Sequence, residues 1–137
     1  MKQWITALAL SLAFATSAVA LEKERFTEDR FEALQAAGEV VLVDVWADWC
    51  PTCKKQQAVL KQYASENPDK PFHVLVVDFD KDKQWVRHFR APRQSTLLLY
   101  AGEEQFWYSV AEIRPEIIGA EIDKAVAARN KAVAAGQ

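Results

Sequence analysis

Residues 41–54 read VLVDVWADWCPTCK. The stretch opens with an apolar, β-branched run that contains one acid, Asp44, and such a run is typical of a strand covered on both faces. Cys50 and Cys53 follow, and Pro51 between them suits the first position of a helix, where no backbone N–H is needed. The stretch therefore predicts a buried strand that leads directly into a helix beginning at a cysteine pair.

The cysteine spacing suits a disulfide that can be made and broken repeatedly, because the two thiols are close at the start of one helix. Cys50 would have its thiolate stabilised by free backbone N–H groups and the helix dipole, with Lys54 and Lys55 nearby, so it is the candidate nucleophile. Cys53, one turn further along and expected to be less exposed, is the candidate resolving thiol that would attack a mixed disulfide.

Three other interpretations of the cysteine pair compete with this one. A purely structural bridge is disfavoured, because a loop this short removes little unfolded-state entropy. A zinc site needs more ligands, yet the chain holds only 2 cysteines, and His73 and His88 are not paired at a ligand spacing. Haem attachment requires a histidine directly after the second cysteine, where Lys54 stands.

The rest of the chain alternates helical and strand patterns. Phe26 and Phe31 have the spacing of a hydrophobic staple around Thr27, which predicts a helix start near Glu28 and a stop at Gly38. Helices are also predicted from the cysteines to residue 65, at 80–89 and from Pro115, the last with an apolar stripe formed by Ile118, Ile122, Ala125, Val126 and Val133. Strands are predicted at 40–46, 72–79, 96–100 and 105–110, the last two as a hairpin. This order implies an α/β fold with a central mixed sheet flanked by helices.

Composition narrows the function classes. The chain has 137 residues, of which 50% are hydrophobic and 26% charged, as in one compact soluble domain. Its net charge of -2 provides no basic field for phosphate backbones, so we expect no nucleic-acid partner.

The first residues resemble a secretory signal peptide. Lys2 precedes an apolar run of 12 residues, Trp4–Ala15, and Ala18–Ala20 supplies the small residues of a cleavage site. The run is too short to span a bilayer, and no other stretch is apolar enough, so we expect no stable membrane insertion. The interpretation is a leader at 1–20, cleavage after Ala20, and a domain at 21–137 in the periplasm.

Residues 41–54 resemble the active-site strand and helix start of the thioredoxin family, and Thr96–Tyr100 (TLLLY) resembles that family's next central strand. The resemblance implies the thioredoxin fold, with Cys50 as nucleophile, Cys53 as resolving cysteine and Asp44 as the buried acid that moves protons to and from Cys53. Physical chemistry agrees, because burying an ionised carboxylate costs several kcal/mol and raises its pKa.

The same resemblance implies that substrate is bound by Trp49, Pro51, Thr52, Ser95 and Thr96. Two of the departures from the family pattern concern the cysteine pair and Asp44. Ser95 stands where the family has a cis-proline, and we expect a trans bond there, since a non-proline cis bond costs about 3 to 4 kcal/mol. Val76 stands where the family has a buried lysine, which is expected to leave Asp44 without a cationic neighbour.

The resemblance therefore predicts a periplasmic, monomeric thiol:disulfide oxidoreductase that acts on protein disulfides without metal or organic cofactor. The Pro51-Thr52 dipeptide favours a reductase, because exported relatives with that dipeptide act as reductants. Such a protein would receive its electrons from a membrane dithiol protein, since the periplasm lacks a glutathione buffer. Two alternatives stay open: a non-catalytic binding or chaperone-like module, and a metal or iron–sulfur cluster bridged between two chains.

Overall fold

The computed structural model describes residues 21–136, so the predicted leader at 1–20 lies outside the described residues. Strands and helices alternate along the described chain in nine elements. They are β1 (Lys23–Arg25), α1 (Glu28–Ala36), β2 (Val40–Trp46), α2 (Pro51–Glu66), β3 (His73–Asp78), α3 (Lys83–His88), β4 (Thr96–Ala101), β5 (Glu104–Val110) and α4 (Pro115–Ala134).

The strands form one mixed sheet in the order β1-β3-β2-β4-β5, with β2 at its centre. β3 runs parallel to both β1 and β2, whereas β4 is antiparallel to β2 and to β5. The predicted mixed sheet flanked by helices is therefore confirmed. β1 is an addition that the sequence did not predict, because Lys-Glu-Arg has no apolar alternation and becomes a strand only by pairing with β3.

The first helix begins and ends where the sequence predicts. The Thr27 side chain accepts a hydrogen bond from the backbone N–H of Arg30, and the rings of Phe26 and Phe31 lie 5.5 Å apart as a hydrophobic staple. Gly38 has φ +71°, a left-handed conformation that favours glycine after a helix.

The third helix starts later than predicted. Residues 79–82 form a turn instead, because the Asp78 carboxylate accepts hydrogen bonds from the backbone N–H groups of Asp80 and Lys81, and the Asp82 carboxylate accepts one from Asp78. Aspartate side chains compete in this way with the helical backbone pattern.

Two apolar layers cover the sheet, one on each face. Alternate residues of β2 point to opposite faces. Val41, Val43 and Val45 pack on the side of α1 and α3, and Val40 and Leu42 pack on the side of α2 and α4. By this alternation Asp44 points to the α2 and α4 side, into an otherwise apolar layer.

The apolar stripe of α4 is shorter than predicted. Ile118, Ile122, Ala125 and Val126 are buried, but Val133 is 61% exposed, so its assignment to the stripe was wrong. A 20-residue helix is about 30 Å long, whereas strands of six or seven residues span about 20 Å, so the last turn extends beyond the sheet. Within residues 21–136, no helix combines the length and the apolar character needed to cross a bilayer.

Candidate active site

The cysteine pair lies at the start of α2, shortly after the end of β2. Cys50 is the N-cap residue of α2 and Pro51 occupies the first turn, as the sequence predicts. Cys50 and Cys53 form a disulfide with Cα atoms 5.3 Å apart, and the backbone N–H of Cys53 donates to Cys50 Sγ at 3.0 Å. The structure therefore shows an oxidised dithiol held at the N-terminus of a helix.

The two cysteines are buried to the same extent. Both have no exposed surface in the oxidised form, so the predicted difference in exposure between Cys50 and Cys53 is wrong for this form. Ala47 is buried with them, and Trp46 and Phe79 pack against the three. The disulfide is therefore covered in this form, and a substrate could reach it only after neighbouring side chains move.

Trp49 is the most exposed large side chain next to the disulfide, at 58%. Its indole Nε1 donates to the Asp80 carboxylate at 2.7 Å, which anchors it to the turn before α3. Pro51 is exposed and Thr52 half-buried, so these three predicted substrate-binding residues surround the disulfide and remain accessible. Their arrangement suits contact with an extended peptide.

Ser95 and Thr96 are placed differently from the other predicted substrate-binding residues. Both are buried, and the Ser95 backbone is fully used: its N–H donates to Val45 O at 2.7 Å and its carbonyl accepts from Ala111 N–H at 2.9 Å. The Thr96 hydroxyl donates to Arg93 O at 2.7 Å. Substrate binding through this backbone would therefore require these hydrogen bonds to be released.

Ser95 also has an unusual backbone conformation. Its φ is +62°, and the peptide bonds of residues 21–136 are all trans, as expected for a serine in the place of a cis-proline. A left-handed conformation at a non-glycine residue costs about 1 to 2 kcal/mol, so neighbouring contacts must hold it. Gln56 provides one, because its buried amide donates to Ser95 O and to Glu112 O, both at 3.0 Å.

Asp44 is fully buried beneath α2, and its carboxylate accepts a hydrogen bond from the side-chain amide of Gln57. Burial raises the pKa of Asp44 to about 7, while the charge of Lys23 and the Gln57 hydrogen bond lower it. The predicted rise of the Asp44 pKa thus agrees with the structure. A carboxyl with this pKa can both take up and release a proton near neutral pH.

The expectation that Asp44 has no cationic neighbour is wrong. Val76 of β3 does lie opposite Asp44 in the sheet register. However, Lys23 of β1, the strand on the far side of β3, supplies a positive charge that lowers the Asp44 pKa. The Lys23 ammonium sits 4.4 Å from the ring centre of Trp46, two residues along β2 from Asp44. The sequence could not show this, because β1 itself was not predicted.

Sequence analysis also missed Gln56 and Gln57. Both lie one turn beyond Cys53 in α2, at i+3 and i+4, where a helical period places them on the same face as the resolving cysteine. That periodicity was the available signal, since glutamine is rarely buried and two such residues on an inward face require partners.

No group of three or more histidine, cysteine or acidic side chains that could hold a metal ion occurs within residues 21–136. The site itself brings together a disulfide, which can accept an electron pair, and the buried carboxyl of Asp44, which can exchange a proton.

Comparison with known proteins agrees with this geometry. The family model described as Thioredoxin matches residues 19–124. Among solved structures, Trxlp from Edwardsiella tarda superposes with a TM-score of 0.68 at 35% identity, over 74% of this chain and 98% of that one.

Curated relatives are similar over the same region. Thioredoxin 1 of Chlorobaculum tepidum is 30% identical over 86 residues, which are 63% of this chain and 84% of that protein. The bifunctional thioredoxin reductase/thioredoxin of Mycobacterium leprae is 33% identical over 72 residues, but the match spans only 16% of that longer protein.

Replacing Ser95 by the proline that the family has at this position is expected to destabilise the protein. Proline fixes φ near −65° and has no N–H, so Ser95→Pro would lose the bond to Val45 and could not keep φ +62°. We expect a loss of about 2 kcal/mol or more in the free energy of unfolding, measured with urea. The control Ser95→Gly keeps the N–H and tolerates the conformation, so it should stay within about 1 kcal/mol of wild type. A proline variant as stable as wild type would contradict the loop conformation described here.

The buried carboxyl predicts a specific pH dependence of stability. The Asp44 pKa is raised from 3.8 to about 7 on folding, so the native state retains a proton that the unfolded chain loses, and stability should fall as pH rises through this window. Asp44→Asn removes that fall. The oxidised variant should match wild type near pH 4 and exceed it at pH 8 by on the order of 4 kcal/mol, since one pKa unit corresponds to about 1.4 kcal/mol.

Urea unfolding of oxidised wild type and variant between pH 4 and pH 9 checks this. Asp123→Asn is a control of opposite sign, because hydrogen bonds from Lys70 and Tyr63 lower the Asp123 pKa, so its loss should weaken the protein at neutral pH. Parallel stability curves for wild type and the Asp44 variant would show that Asp44 ionises normally in the fold.

Proposed function

The chain belongs to the thioredoxin family of thiol:disulfide oxidoreductases, and on that premise we propose that it is an exported reductase of disulfides in other proteins. The observation that carries the proposal is the Cys50–Cys53 disulfide at the N-terminus of α2, a helix that also contacts a buried carboxyl, Asp44, whose pKa is raised to about 7. Members of this family carry electrons in the cysteine pair itself, so the reaction needs no metal or organic cofactor.

The proposed reaction has two steps. In the reduced protein, the Cys50 thiolate attacks one sulfur of a substrate disulfide, forming a mixed disulfide and releasing the other substrate sulfur as a thiolate. Cys53 then loses its proton and attacks Cys50 Sγ, which forms the Cys50–Cys53 bond and releases the second substrate sulfur. Two electrons pass to the substrate, and Asp44 is the group proposed to exchange the Cys53 proton.

The helix N-terminus supports the assignment of Cys50 as nucleophile. The backbone N–H of Cys53 already points at Cys50 Sγ, at 3.0 Å, and the same N–H would stabilise a thiolate on that sulfur after reduction. Cys53 lies one turn further along the helix, bonded to Cys50 in the oxidised form. The accessible Trp49, Pro51 and Thr52 would contact the polypeptide that carries the substrate disulfide.

The direction of electron flow is proposed from the Pro51-Thr52 dipeptide, because exported relatives with this dipeptide act as reductants. A reductase in the periplasm must itself be reduced, and no glutathione buffer is available there. We therefore expect the electron donor to be a membrane dithiol protein, with this chain acting as a monomer between donor and substrate. The proposal of export rests on the sequence of residues 1–20, which resembles a signal peptide.

A second candidate function is a non-catalytic module that binds proteins through the thioredoxin fold. The Ser95 backbone favours it, because both its N–H and its carbonyl are engaged inside the protein and are not free to pair with a substrate strand. In such a module the disulfide would serve only stability, and neither rapid thiol exchange nor a trapped mixed disulfide would occur.

The two candidates differ in the redox behaviour of the cysteine pair. We expect a reversible two-electron couple near the thioredoxin value of about -270 mV when the protein is equilibrated with defined thiol buffers. A potential near -120 mV would indicate an oxidant instead, and the absence of a reversible couple would support the binding module.

Matched cysteine variants test the proposed roles in the same assay. Cys53→Ala should accumulate a mixed disulfide with a disulfide-containing protein, because the resolving thiol is missing, and dithiothreitol should release the complex. Cys50→Ala should form none. Equal trapping by the two variants would contradict the assignment of Cys50 as nucleophile.

Export is tested by expressing the full chain in a bacterium with a periplasm and determining the N-terminus of the recovered protein. We expect the mature chain to start at Leu21, with its mass reduced by residues 1–20. Ala20→Arg is the control, because signal peptidase requires a small residue at that position and the variant should keep its leader. Full-length wild-type protein in the cytoplasm would contradict export.

A further inference from the structure

Two consecutive buried glutamines follow the cysteine pair. Gln56 and Gln57 lie in the second turn of α2, and both side chains face the interior. Glutamine is mostly found on protein surfaces, and burying an amide without partners costs free energy. Each of these residues therefore has to be explained by what its amide contacts.

The two amides serve different partners. Gln56 donates to the backbone carbonyls of Ser95 and Glu112, at 3.0 Å each, and so ties two loops to α2. Gln57 donates to Oδ2 of Asp44, a side chain of β2. Only Gln57 therefore touches a group that titrates, although the two residues are equally deep in the same helix.

Gln57 also connects Asp44 to the resolving cysteine. It follows Cys53 by four residues, so the two side chains are neighbours on one helix face, about 5 to 6 Å apart at their Cβ atoms. Gln57 thus contacts Asp44 directly and is also the helical neighbour of Cys53. In the proposed reaction the proton passes between the Cys53 thiol and the Asp44 carboxyl, directly or through one water.

The other groups around Asp44 leave Gln57 as its direct partner. Lys23 of β1 is the cation that acts on Asp44, but its ammonium is exposed and lies over the Trp46 ring, so it acts at a distance. On α2, Cys53 becomes a titratable thiol once the disulfide is reduced. The side chains opposite Asp44 on β3 and β4, and those of α4 buried on the same face, carry no charge: Val76, Leu97, Ile118 and Ile122.

We propose that Gln57 is the positioning residue of the proton transfer: its amide occupies Oδ2 of Asp44, so that the proton exchanged with Cys53 is carried by Oδ1. This inference rests on the proposed thiol:disulfide exchange. Among the described residues, Oδ1 of Asp44 has no hydrogen-bond partner, which leaves it as the oxygen able to accept a proton. When Cys53 attacks Cys50 Sγ, the electron pair of its S–H bond forms the new disulfide bond, and its proton passes to Oδ1.

An amide suits this position better than a cation would. A buried ammonium favours only the ionised carboxylate, whereas an amide can donate to a carboxylate through its N–H and accept from a carboxylic acid through its carbonyl. The Gln57 carbonyl oxygen is itself buried and unpartnered among residues 21–136, so it is available for the second role. Gln57 can therefore contact Asp44 in both protonation states, and the N–H bond that it makes to Oδ2 favours the ionised one.

The test compares three glutamines of α2, each replaced by methionine, which has similar length but no amide. Gln57→Met removes the donor to Asp44, and the midpoint of the Asp44 carboxyl titration, followed by NMR in the oxidised protein, should rise by about one pH unit or more. The pH profile of thiol exchange with a model disulfide should shift in the same direction.

Two controls separate this effect from loss of stability. Gln56→Met loses a buried amide with two hydrogen bonds, so it should weaken the protein while leaving the Asp44 midpoint unchanged. Gln62→Met, at an exposed position of the same helix, should alter neither property. In an Asp44→Asn background, Gln57→Met should no longer change the pH profile, because the group that it tunes is absent.

The outcomes distinguish this inference from the proposed function. If wild type exchanges thiols and Gln57→Met leaves the Asp44 midpoint unchanged, Gln57 has only a packing role and the inference is wrong. If wild type shows no exchange, the proposed function fails, whatever the titration shows. Gln57→Glu is the second variant should the methionine variant not fold: once ionised, the new carboxylate repels that of Asp44, so the Asp44 midpoint should again rise, and an unchanged midpoint would equally overturn the inference.

Discussion

The burial of one carboxyl group, that of Asp44, constrains the rest of the site. In water an aspartate ionises near pH 4, but in the apolar layer between the sheet and α2 the charged form loses its hydration and the pKa rises to about 7. Asp44 is buried because β2 is the central strand of the sheet, so every position on that face has neighbours. A group that would stay ionised on the surface is thereby able to gain or lose a proton near neutral pH.

Helix α2 converts this buried acid into part of a redox site. Its N-terminus holds the cysteine pair, and the next turn of the same face holds the amides that contact Asp44 and the loop before β4. One helix thus fixes the distances among the disulfide, the carboxyl and the substrate-side loop. Because the helix packs as a rigid element against the sheet, we expect a change at one of these positions to alter the geometry of the others.

Much of the fold could be predicted from the sequence, because its signals are local. The staple of Phe26 and Phe31 located α1, and the apolar run of β2 was found at its observed bounds, Val40–Trp46. β1 was not predicted, because its three polar residues form a strand only by pairing with β3. Val133 was assigned wrongly, because periodicity does not show where a helix extends beyond its sheet. Local patterns carry no information on such distant partners.

The site could be predicted to a similar extent. The prediction was incomplete for the same reason, because local patterns do not show partners that are distant in the sequence. The cysteines and Asp44 stand in one continuous stretch, so their proximity follows from the sequence. The departures at Val76 and Ser95, in contrast, predicted only what is missing: a cationic neighbour for Asp44 and a cis bond before residue 95. In the structure each has a counterpart elsewhere in the chain: Gln57 and Lys23 act on Asp44, and Gln56 holds the Ser95 loop.

These counterparts bear on the choice between an enzyme and a binding module. A binding module needs the fold and an accessible surface, and nothing in that function requires a carboxyl to be buried at a cost in stability beside a disulfide. Here the carboxyl of Asp44 is retained and accepts a hydrogen bond from the buried amide of Gln57. Val76, opposite Asp44, stands where the family has a lysine. A costly group that keeps a dedicated partner is best explained by chemistry, whereas the engaged backbone of Ser95 concerns only how substrate is held. The buried carboxyl and its amide partner therefore favour the proposed oxidoreductase over the binding module.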